Sequence, residues 1–281
     1  MMDVDKRIAE FIQHAKWYHS IDIGKYGRTY GTYEHKPYLK YYQFPDLSGI
    51  DCLDVGAADG FFSFEFEKMG ANVTAVDIHN YDGGLGVSPS PSHSEAYKQK
   101  YRVYSNENEK FADLLEKLDM ESLHRLLIVK KLIKSDVVFE NRSIYDLSSM
   151  GRTFEAVFCG DLMEHLKNPL EAIENLRAVT GKVCVIALSS SIDWRRKLLG
   201  FGKASLGLFN NRPSTRLADA LSSTQYIGNV SGGAFFHFSP EVFREMCLAS
   251  GFKRVEIVST FNLRNRAIGV PNQHAIFHCF T

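Results

Sequence analysis

Residues 52–77 decide the fold, and they read CLDVGAADGFFSFEFEKMGANVTAVD. An apolar run leads into the glycine turn DVGAADG (54–60), a segment with helical spacing follows, and a second apolar run ends at Asp77. Strand, glycine turn, helix and strand in this order are typical of a nucleotide-like cofactor held at the carboxyl edge of a parallel sheet.

The glycine turn contains acids where a dinucleotide-binding turn has neutral residues. The dinucleotide pattern is Gly-x-Gly-x-x-Gly, which lets a pyrophosphate rest on a helix N-terminus. Here Asp54 takes the first glycine position and Asp59 lies inside the turn. Two carboxylates repel a pyrophosphate in a partly buried site. They favour instead a cofactor that carries a cationic sulfonium and an ammonium group.

Strands and helices alternate through the rest of the chain. Gly70 indicates the end of one helix, and Pro169 and Ser239 indicate the starts of two others. This alternation predicts a doubly wound, Rossmann-like α/β sheet, with ligands beyond the carboxyl ends of its strands. Two apolar segments near the end predict an antiparallel pair at one sheet edge. The predicted strands are IDCLDV (50–55), NVTAVDI (72–78), the first part of DVVFENRSIYDL (136–147), TFEAVFCGD (153–161), KVCVIAL (182–188), KRVEIVSTFNL (253–263) and QHAIFHCF (273–280).

The 281 residues, 44% of them hydrophobic, suffice for one large core, so we expect a single domain over 1–281. Both predicted insertions leave the carboxyl edge of the sheet, which indicates that they roof the site. The expected parts are an N-terminal helical collar or lid (1–49), irregular after its first helix apart from a short helix near 37–42, a cofactor-binding core (50–188), two cap insertions (80–120 and 189–238, the second irregular) and a C-terminal helix with two strands (239–281). Within the first insertion, EAYKQKYRVY (95–104) and EKFADLLEKL (109–118) are expected helices.

The amino-acid composition indicates the class of ligand, the state of the cysteines and the cellular compartment. Lys+Arg and Asp+Glu both number 33, so a general electrostatic grip on nucleic acid is not indicated. The five cysteines are far apart and form no CxxC pair, which favours buried reduced thiols over a disulfide or zinc framework. The N-terminus is unlike a signal peptide, and no apolar run has the length of a membrane span. We expect a cytoplasmic protein without a resident metal.

Four motifs carry a resemblance to a known family. LDVGAADG, TAVD, SIYDL and FCGDLMEHLKNP occur in the order found in class I S-adenosylmethionine-dependent methyltransferases, and the chain resembles that family over residues 50–190. The resemblance implies S-adenosyl-L-methionine as cofactor and S-adenosyl-L-homocysteine as product. It places Asp54 toward the amino group, Asp77 on the ribose hydroxyls and Asp146 on the adenine amino group. The implied cofactor-binding residues here are Asp54, Gly56, Ala57, Gly60, Asp77, Ile78, Tyr145, Asp146, Cys159 and Gly160.

Methyl transfer from a sulfonium is an in-line displacement, in which a base is needed only if the acceptor must lose a proton. A histidine titrates in the range that suits a general base. The alternative is that Glu164 and His165 only fix the loop after the fourth strand. The candidate residues on the acceptor side are Asp161, Glu164 and His165 of GDLMEHLKNP, then His19, and His237 from the second insertion.

A narrower resemblance involves WYHSIDIGKYGRTYG (17–31) and HKPYL (35–39), which are similar to the wobble-uridine tRNA methyltransferase-like branch. Its founding members transfer a carboxymethyl group. The resemblance implies a lid over the methionyl end, although Lys25, Arg28 and Lys36 can equally be solvated surface charges. Those members carry a Tyr where this chain has Glu164, whose negative charge is expected to repel a second carboxylate. The implied lid residues are His19, Lys25, Arg28, Tyr30 and Lys36.

The leading hypothesis is therefore a methyltransferase that modifies an oxygen or nitrogen of a small or medium-sized acceptor. A tRNA wobble-uridine modifying (carboxy)methyltransferase is the alternative, and a non-catalytic S-adenosylmethionine-binding protein is the third. The second insertion mixes cations and aromatics, from Trp194 to Arg216, and fits a flap over a small-molecule pocket, an RNA contact or a membrane surface. The oligomeric state is left open.

Overall fold

The computed structural model describes residues 4–78, 110–120, 124–189, 225–229, 234–267, 269 and 271–281. The predicted helix EAYKQKYRVY (95–104) and the cation-rich part of the second insertion lie outside the described residues. The predicted helix in 109–118 is present at Asp113–Leu118.

Seven strands form the central sheet. The parallel strands are β3 (Asp51–Val55), β4 (Asn72–Asp77), β5 (Val138–Asn141), β6 (Phe154–Gly160) and β7 (Thr180–Ser189). Two antiparallel strands, β10 (Arg254–Arg264) and β11 (Pro271–Phe280), close one edge. The order β10-β11-β7-β6-β3-β4-β5 confirms the predicted doubly wound sheet with an antiparallel C-terminal edge.

Helices cover both faces of this sheet because successive strand residues point to opposite sides. In β3, Cys52 enters one hydrophobic core and Leu53 enters the other. The helices are α1 (Val4–His14), α2 (Leu39–Tyr42), α3 (Phe61–Lys68), α4 (Asp113–Leu118), α5 (Arg125–Ile133), α6 (Pro169–Val179) and α7 (Pro240–Ala249). The first core includes side chains of α1, α3 and α5, and the second includes those of α6 and α7.

The signals that bound the helices in the sequence work as predicted. Gly70 ends the α3 segment with a φ of +91°, and Pro169 begins α6 where its missing N–H costs nothing. Ser239 caps α7, since its Oγ accepts a hydrogen bond from the Val242 amide at 3.2 Å. These local features agree with the tertiary structure, so the element order follows from the sequence.

The collar is more regular than predicted. Two short strands, β1 (Trp17–His19) and β2 (Gly31–Tyr33), pair in parallel, so the prediction of an irregular segment is wrong here. The strands approach closely because Gly31 has no side chain; a Cβ added there would lie 2.1 Å from the carbonyl carbon of His19. The predicted short helix is present, as a 3₁₀ turn over Lys36–Tyr38 followed by α2.

The second insertion also contains strands that the sequence did not indicate. β8 (Gln225–Asn229) and β9 (Ala234–His237) pair in antiparallel fashion, which corrects the prediction of an irregular segment for this part. Both insertions begin after strands that end at the same sheet edge, β4 and β7. Within the described ranges, no helix has the length and apolarity needed to cross a bilayer.

Candidate active site

The candidate site lies where the strand order reverses. β3 has β4 on one side and β6 on the other, and the chain reaches these two neighbours through crossovers in opposite directions. A crevice forms at such a switch point beyond the carboxyl ends of the strands. The glycine turn follows β3, Asp77 ends β4 and Gly160 ends β6. The topology therefore brings the predicted motifs together at one edge.

The glycine turn is fixed by backbone hydrogen bonds and needs its glycines for two different reasons. The Gly56 amide donates to the Val76 carbonyl at 2.9 Å, and Gly56 and Gly60 have φ values of +76° and +87°. A Cβ on Gly60 would lie 2.7 Å from the Phe64 ring and 2.9 Å from Leu126, so packing excludes a side chain there. The resemblance names both glycines as cofactor-binding residues, and the packing of Phe64 and Leu126 is a further reason for a glycine at position 60.

Three buried carboxylates surround this turn. Asp54, Asp59 and Asp77 are 2%, 0% and 6% exposed. Asp54 accepts a hydrogen bond from Ser63 Oγ at 2.5 Å. Asp77 accepts the amides of Ala58 and Ile78, both at 2.7 Å.

Burial is the main reason that all three acids are hard to ionise. It raises the pKa of Asp54 and of Asp77 to about 7 and that of Asp59 to about 6. The negative charges of Asp54 and Asp59 raise the pKa of Asp77 further. The turn thus disfavours ionised carboxylates when no ligand is bound, and a cationic ligand would stabilise these anions whereas a pyrophosphate would not.

Asp59 has a role that the sequence interpretation missed. Its Oδ2 accepts the backbone amides of Tyr18 at 2.5 Å and His19 at 2.8 Å, which fastens β1 of the collar to the glycine turn. Its Oδ1 has no hydrogen-bond partner among the described residues. The carboxylate therefore joins two parts of the chain, and its predicted role as an acid facing only a cationic cofactor needs this correction.

A second polar cluster follows β6. Asp161 has a left-handed φ of +48°, and its amide donates to the Ala187 carbonyl at 3.0 Å. His274, on β11, places Nε2 3.1 Å from Oδ1 and 3.2 Å from Oδ2 of Asp161. Its Nδ1 lies 3.0 Å from the Asn272 carbonyl oxygen. Both partners are hydrogen-bond acceptors, so both ring nitrogens carry protons and His274 is an imidazolium.

The charges of this pair support that assignment. Burial alone would lower the pKa of His274, but the charge and hydrogen bond of Asp161 raise it. Burial alone would raise the pKa of Asp161, but the charge and hydrogen bond of His274 lower it. The two side chains form an ion pair next to the predicted catalytic segment.

Glu164 is a third buried side chain near this ion pair, and it differs from Asp161 in its protonation state. It is 7% exposed, and its Oε2 has no hydrogen-bond partner among the described residues. Burial and then the charge of Asp161 raise the pKa of Glu164 to about 8. The carboxyl is therefore largely neutral at about pH 7. The sequence interpretation treated Glu164 as an anion that repels a second carboxylate. Because the carboxyl is largely neutral, this repulsion is no longer expected.

The histidines on the acceptor side differ in burial. His165 is half-buried in the turn after β6, and His237, at the end of β9, is exposed. His19 is buried, and its Nδ1 has no hydrogen-bond partner among the described residues. Burial, with a smaller contribution from the neighbouring His35, lowers the pKa of His19 well below its usual value, so its imidazole is neutral. The rings of His19 and His35 are 5.2 Å apart.

Sequence reasoning missed several members of this cluster. His274 is a buried polar residue within an apolar strand, and that contrast is the signal that could have found it. Tyr18 and Tyr33 lie close enough for the charges of Asp161 and Glu164 to raise their pKa values, after the larger effect of burial. Tyr18 and His35 both belong to the motifs of the collar, but the sequence did not single them out as site residues.

The cations that were predicted to lie in the lid form ion pairs with acidic residues. Arg28 forms an ion pair with Glu34 at 2.5 Å, and Tyr30 is 73% exposed with Arg266 over its ring. These contacts favour the interpretation that Arg28 and Tyr30 are surface residues rather than parts of a lid over the cofactor. Each of the two lysines also has an acidic partner, in the pairs Lys25–Asp5 and Lys36–Glu65.

The other predicted cofactor residues lie along the same edge. Tyr145 is half-buried and its hydroxyl accepts the Asn168 amide at 3.2 Å, whereas Asp146 is exposed. The Cys159 side chain is fully buried in the core, so only its backbone can line a ligand, and Gly160 follows it at the strand end. Ala57 is buried within the glycine turn.

A sheet of this order, with a glycine turn surrounded by acids at its switch point, defines a Rossmann-like methyltransferase. The family described as a methyltransferase domain matches residues 30–257, and the chain belongs to this family. The predicted enzyme class is thereby confirmed.

One solved structure supports the assignment of the fold. The N-terminal domain of EvdMO1 with SAH bound is similar over 100% of this chain and 98% of its own, with 12% identity and a TM-score of 0.54. Magnesium protoporphyrin IX methyltransferase from Synechocystis PCC 6803 covers 83% of this chain and 75% of its own, with 14% identity and a TM-score of 0.41. No curated protein matches the chain significantly in sequence.

Proposed function

We propose that the chain is an S-adenosylmethionine-dependent methyltransferase that modifies an oxygen or nitrogen of a small or medium-sized acceptor. The observation that carries the cofactor assignment is the crowding of the buried carboxyls of Asp54, Asp59 and Asp77 around the glycine turn. Burial raises the pKa of each, and the charges of Asp54 and Asp59 raise that of Asp77 further. S-adenosylmethionine supplies a methyl group on a cationic sulfur, and its positive charges suit this environment. Family membership supports the same choice.

The residues proposed to hold the cofactor follow from their positions. Asp77, at the end of β4, is proposed to accept the ribose hydroxyls, and Asp54 to face the ammonium group, directly or through water. Gly56 keeps the backbone open beside Leu162, because a Cβ there would lie 3.0 Å from Leu162 Cδ2. Asp146 is exposed after β5, and we propose that it meets the adenine amino group.

The acceptor is proposed to bind between the collar and the segment after β6. The ion pair of Asp161 and the neutral side chain of Glu164 are buried there, and Tyr18 of the collar lies within range of the Asp161 charge. A proton released by the acceptor is proposed to move to His165 or to the neutral imidazole of His19. Buried polar groups of this kind favour a small ligand over a folded macromolecule.

The test is a transfer assay with methyl-labelled S-adenosylmethionine and three fractions of a cell extract: small molecules, RNA and protein. We expect label in the small-molecule fraction with the wild type and a loss of at least about tenfold with D77A. D51N, which changes an exposed acid at the other end of β3, serves as the matched control. Absence of transfer to any fraction, together with intact cofactor binding, would support the non-catalytic alternative.

The tRNA wobble-uridine modifying enzyme is the second candidate. The observation that favours it is the position of the WYHSIDIGKYGRTYG motif, whose Tyr18 and His19 amides bind Asp59 of the glycine turn. The ion pairs of Lys25, Arg28 and Lys36 weigh against it, because they leave these cations less available to phosphates. Salt-dependent binding of tRNA in a mobility-shift assay would favour this candidate, and label in the RNA fraction would replace the first one.

A further inference from the structure

We propose that Glu164 is a specificity residue that binds the acceptor as a neutral carboxylic acid, donating a hydrogen bond to a carbonyl or carboxylate oxygen beside the methylated atom. The proposal rests on the proposed function and names the chemical class of its acceptor. It differs from the sequence hypothesis, in which Glu164 is an anion that repels a second carboxylate.

The first step is the charge balance around Asp161. Both ring nitrogens of His274 face acceptors: Nε2 lies 3.2 Å from Asp161 Oδ2, and Nδ1 lies 3.0 Å from the Asn272 carbonyl oxygen. The imidazolium therefore carries one positive charge and the carboxylate of Asp161 one negative charge. The side chains are only 2% and 11% exposed, so this balance is maintained with little help from water.

The second step is that Asp161 already compensates the positive charge of His274, so this pair provides no further positive charge to compensate an ionised Glu164. Among the residues that the structure describes, Glu164 forms no ion pair, and its Oε2 has no hydrogen-bond partner. The strongest charge effect on it comes from Asp161, while His274 and two backbone hydrogen bonds favour its anion only weakly. A second anion here would be buried and uncompensated, so the proton remains on Glu164.

The other titratable groups around the cluster do not change this outcome. His35 is kept neutral because burial lowers its pKa to about 4. Burial raises the pKa values of Tyr18 and Tyr33, so both phenols also remain neutral. His165 lies next to Glu164 in the chain but is half-buried, and its charge acts on Asp161.

The third step is the chemistry of the partner. A neutral carboxyl offers one O–H donor, and a buried donor without a partner is costly until a ligand accepts its hydrogen bond. A hydrogen bond to the reacting lone pair would slow its attack on the methyl group, so the partner is a different oxygen. Carbonyl and carboxylate oxygens fit, and an acceptor that lacks such an oxygen would be rejected because Glu164 would stay unpaired.

Two variants separate this role from its alternatives. E164Q keeps the shape and an N–H donor but has no proton to lose, and E164L removes every polar atom. Isotope-edited infrared spectra, wild type minus E164Q, report the protonation of Glu164 between about pH 5 and pH 10 without any acceptor. Methyl transfer to the small-molecule fraction, measured at varied dilution of that fraction, reports the apparent KM.

The proposal expects a protonated carboxyl at about pH 7. It expects E164Q to keep its activity within about threefold and E164L to raise the apparent KM at least about tenfold, with unchanged affinity for S-adenosylhomocysteine in both. An ionised Glu164 at neutral pH, or equal loss of activity in E164Q and E164L, would overturn it. If the wild type transfers no methyl group, the proposed function fails, and the infrared titration still decides the protonation state.

Discussion

The Oδ2 atom of Asp59 accepts the backbone amide of His19 at 2.8 Å, across a separation of 40 residues. The Tyr18 amide binds the same oxygen at 2.5 Å. One side chain of the glycine turn therefore determines where the collar lies. The conformation of the cofactor-binding turn and the position of the acceptor-side residues of the collar are linked through this carboxylate.

Removing the Asp59 carboxylate should loosen the collar. D59A leaves two buried amides without a partner, so we expect a loss of about 2–4 kcal/mol in the free energy of unfolding, measured with urea. D59N retains a carbonyl oxygen that accepts a hydrogen bond and should lose less. The exposed D51N is the control, with an effect within about 0.5 kcal/mol. A D59A variant as stable as D51N would show that the collar is held by other contacts.

Three glycines with positive φ values should respond differently to alanine. Gly151 has open space where a Cβ would lie, so G151A should cost only about 1 kcal/mol, from its backbone alone. In G60A the Cβ would lie 2.7 Å from the Phe64 ring, and we expect a total cost of about 2–4 kcal/mol. G56A meets only the flexible end of Leu162 and should lie between them. Equal unfolding free energies for G60A and G151A would contradict the packing argument.

Much of the fold was predictable because local signals and hydrophobic pattern agree. Gly70, Pro169 and Ser239 mark helix boundaries as the sequence indicates, and the apolar runs become the sheet. The strands β1 and β2 were not predictable in this way. They are three residues long and are stabilised by contacts with distant parts of the chain, such as Asp59, that no local pattern reveals.

The candidate site was predictable where it depends on strand ends and not where it depends on neighbours in space. Asp54 and Asp77 lie at the ends of their strands, and parallel pairing brings them together. The partner of Asp161 is His274, 113 residues away on β11, and no spacing rule connects them. The burial that makes Glu164 neutral likewise arises from tertiary packing.

Loss of His274 should leave a buried negative charge on Asp161. We expect H274A to lower the free energy of unfolding by about 3–5 kcal/mol, because the uncompensated carboxylate remains in the core. His278 is the matched control on the same strand, since its Nε2 binds the Tyr42 carbonyl at 2.9 Å, and H278A should cost about 1–2 kcal/mol. Urea unfolding of both variants compares them. If the two costs are equal, the ion pair contributes no more than a single hydrogen bond.

The buried acids should make the ligand-free protein less stable as the pH rises. Burial raises the pKa values of Asp54 and Asp77 to about 7 and that of Glu164 to about 8, so the folded state binds more protons than the unfolded state above the ordinary pKa values of these groups. Stability therefore falls through the folded pKa values. Between about pH 6.5 and pH 8 we expect a loss of roughly 3 kcal/mol.

His19 and His35 oppose this loss by less than about 1 kcal/mol in the same pH window, because each is only half protonated in the unfolded state at about pH 6.5 and less above it. Burial lowers both pKa values, and these histidines are neutral in the folded state and largely neutral in the unfolded state above about pH 6.5. The raised pKa of His274 acts in the same direction as the acids, since its stabilisation is lost as the pH rises. Urea unfolding that shows constant or rising stability across this window would refute the assignment of protonated buried acids.

Calorimetric titration with S-adenosylmethionine and S-adenosylhomocysteine tests the central claim most directly. Both ligands should bind, NAD should not, and D77A should weaken binding by at least about tenfold. Only S-adenosylmethionine carries the sulfonium charge, so its affinity relative to S-adenosylhomocysteine should rise between about pH 6 and pH 8, as Asp54 and Asp77 ionise. Failure of the wild type to bind either ligand would contradict the cofactor assignment.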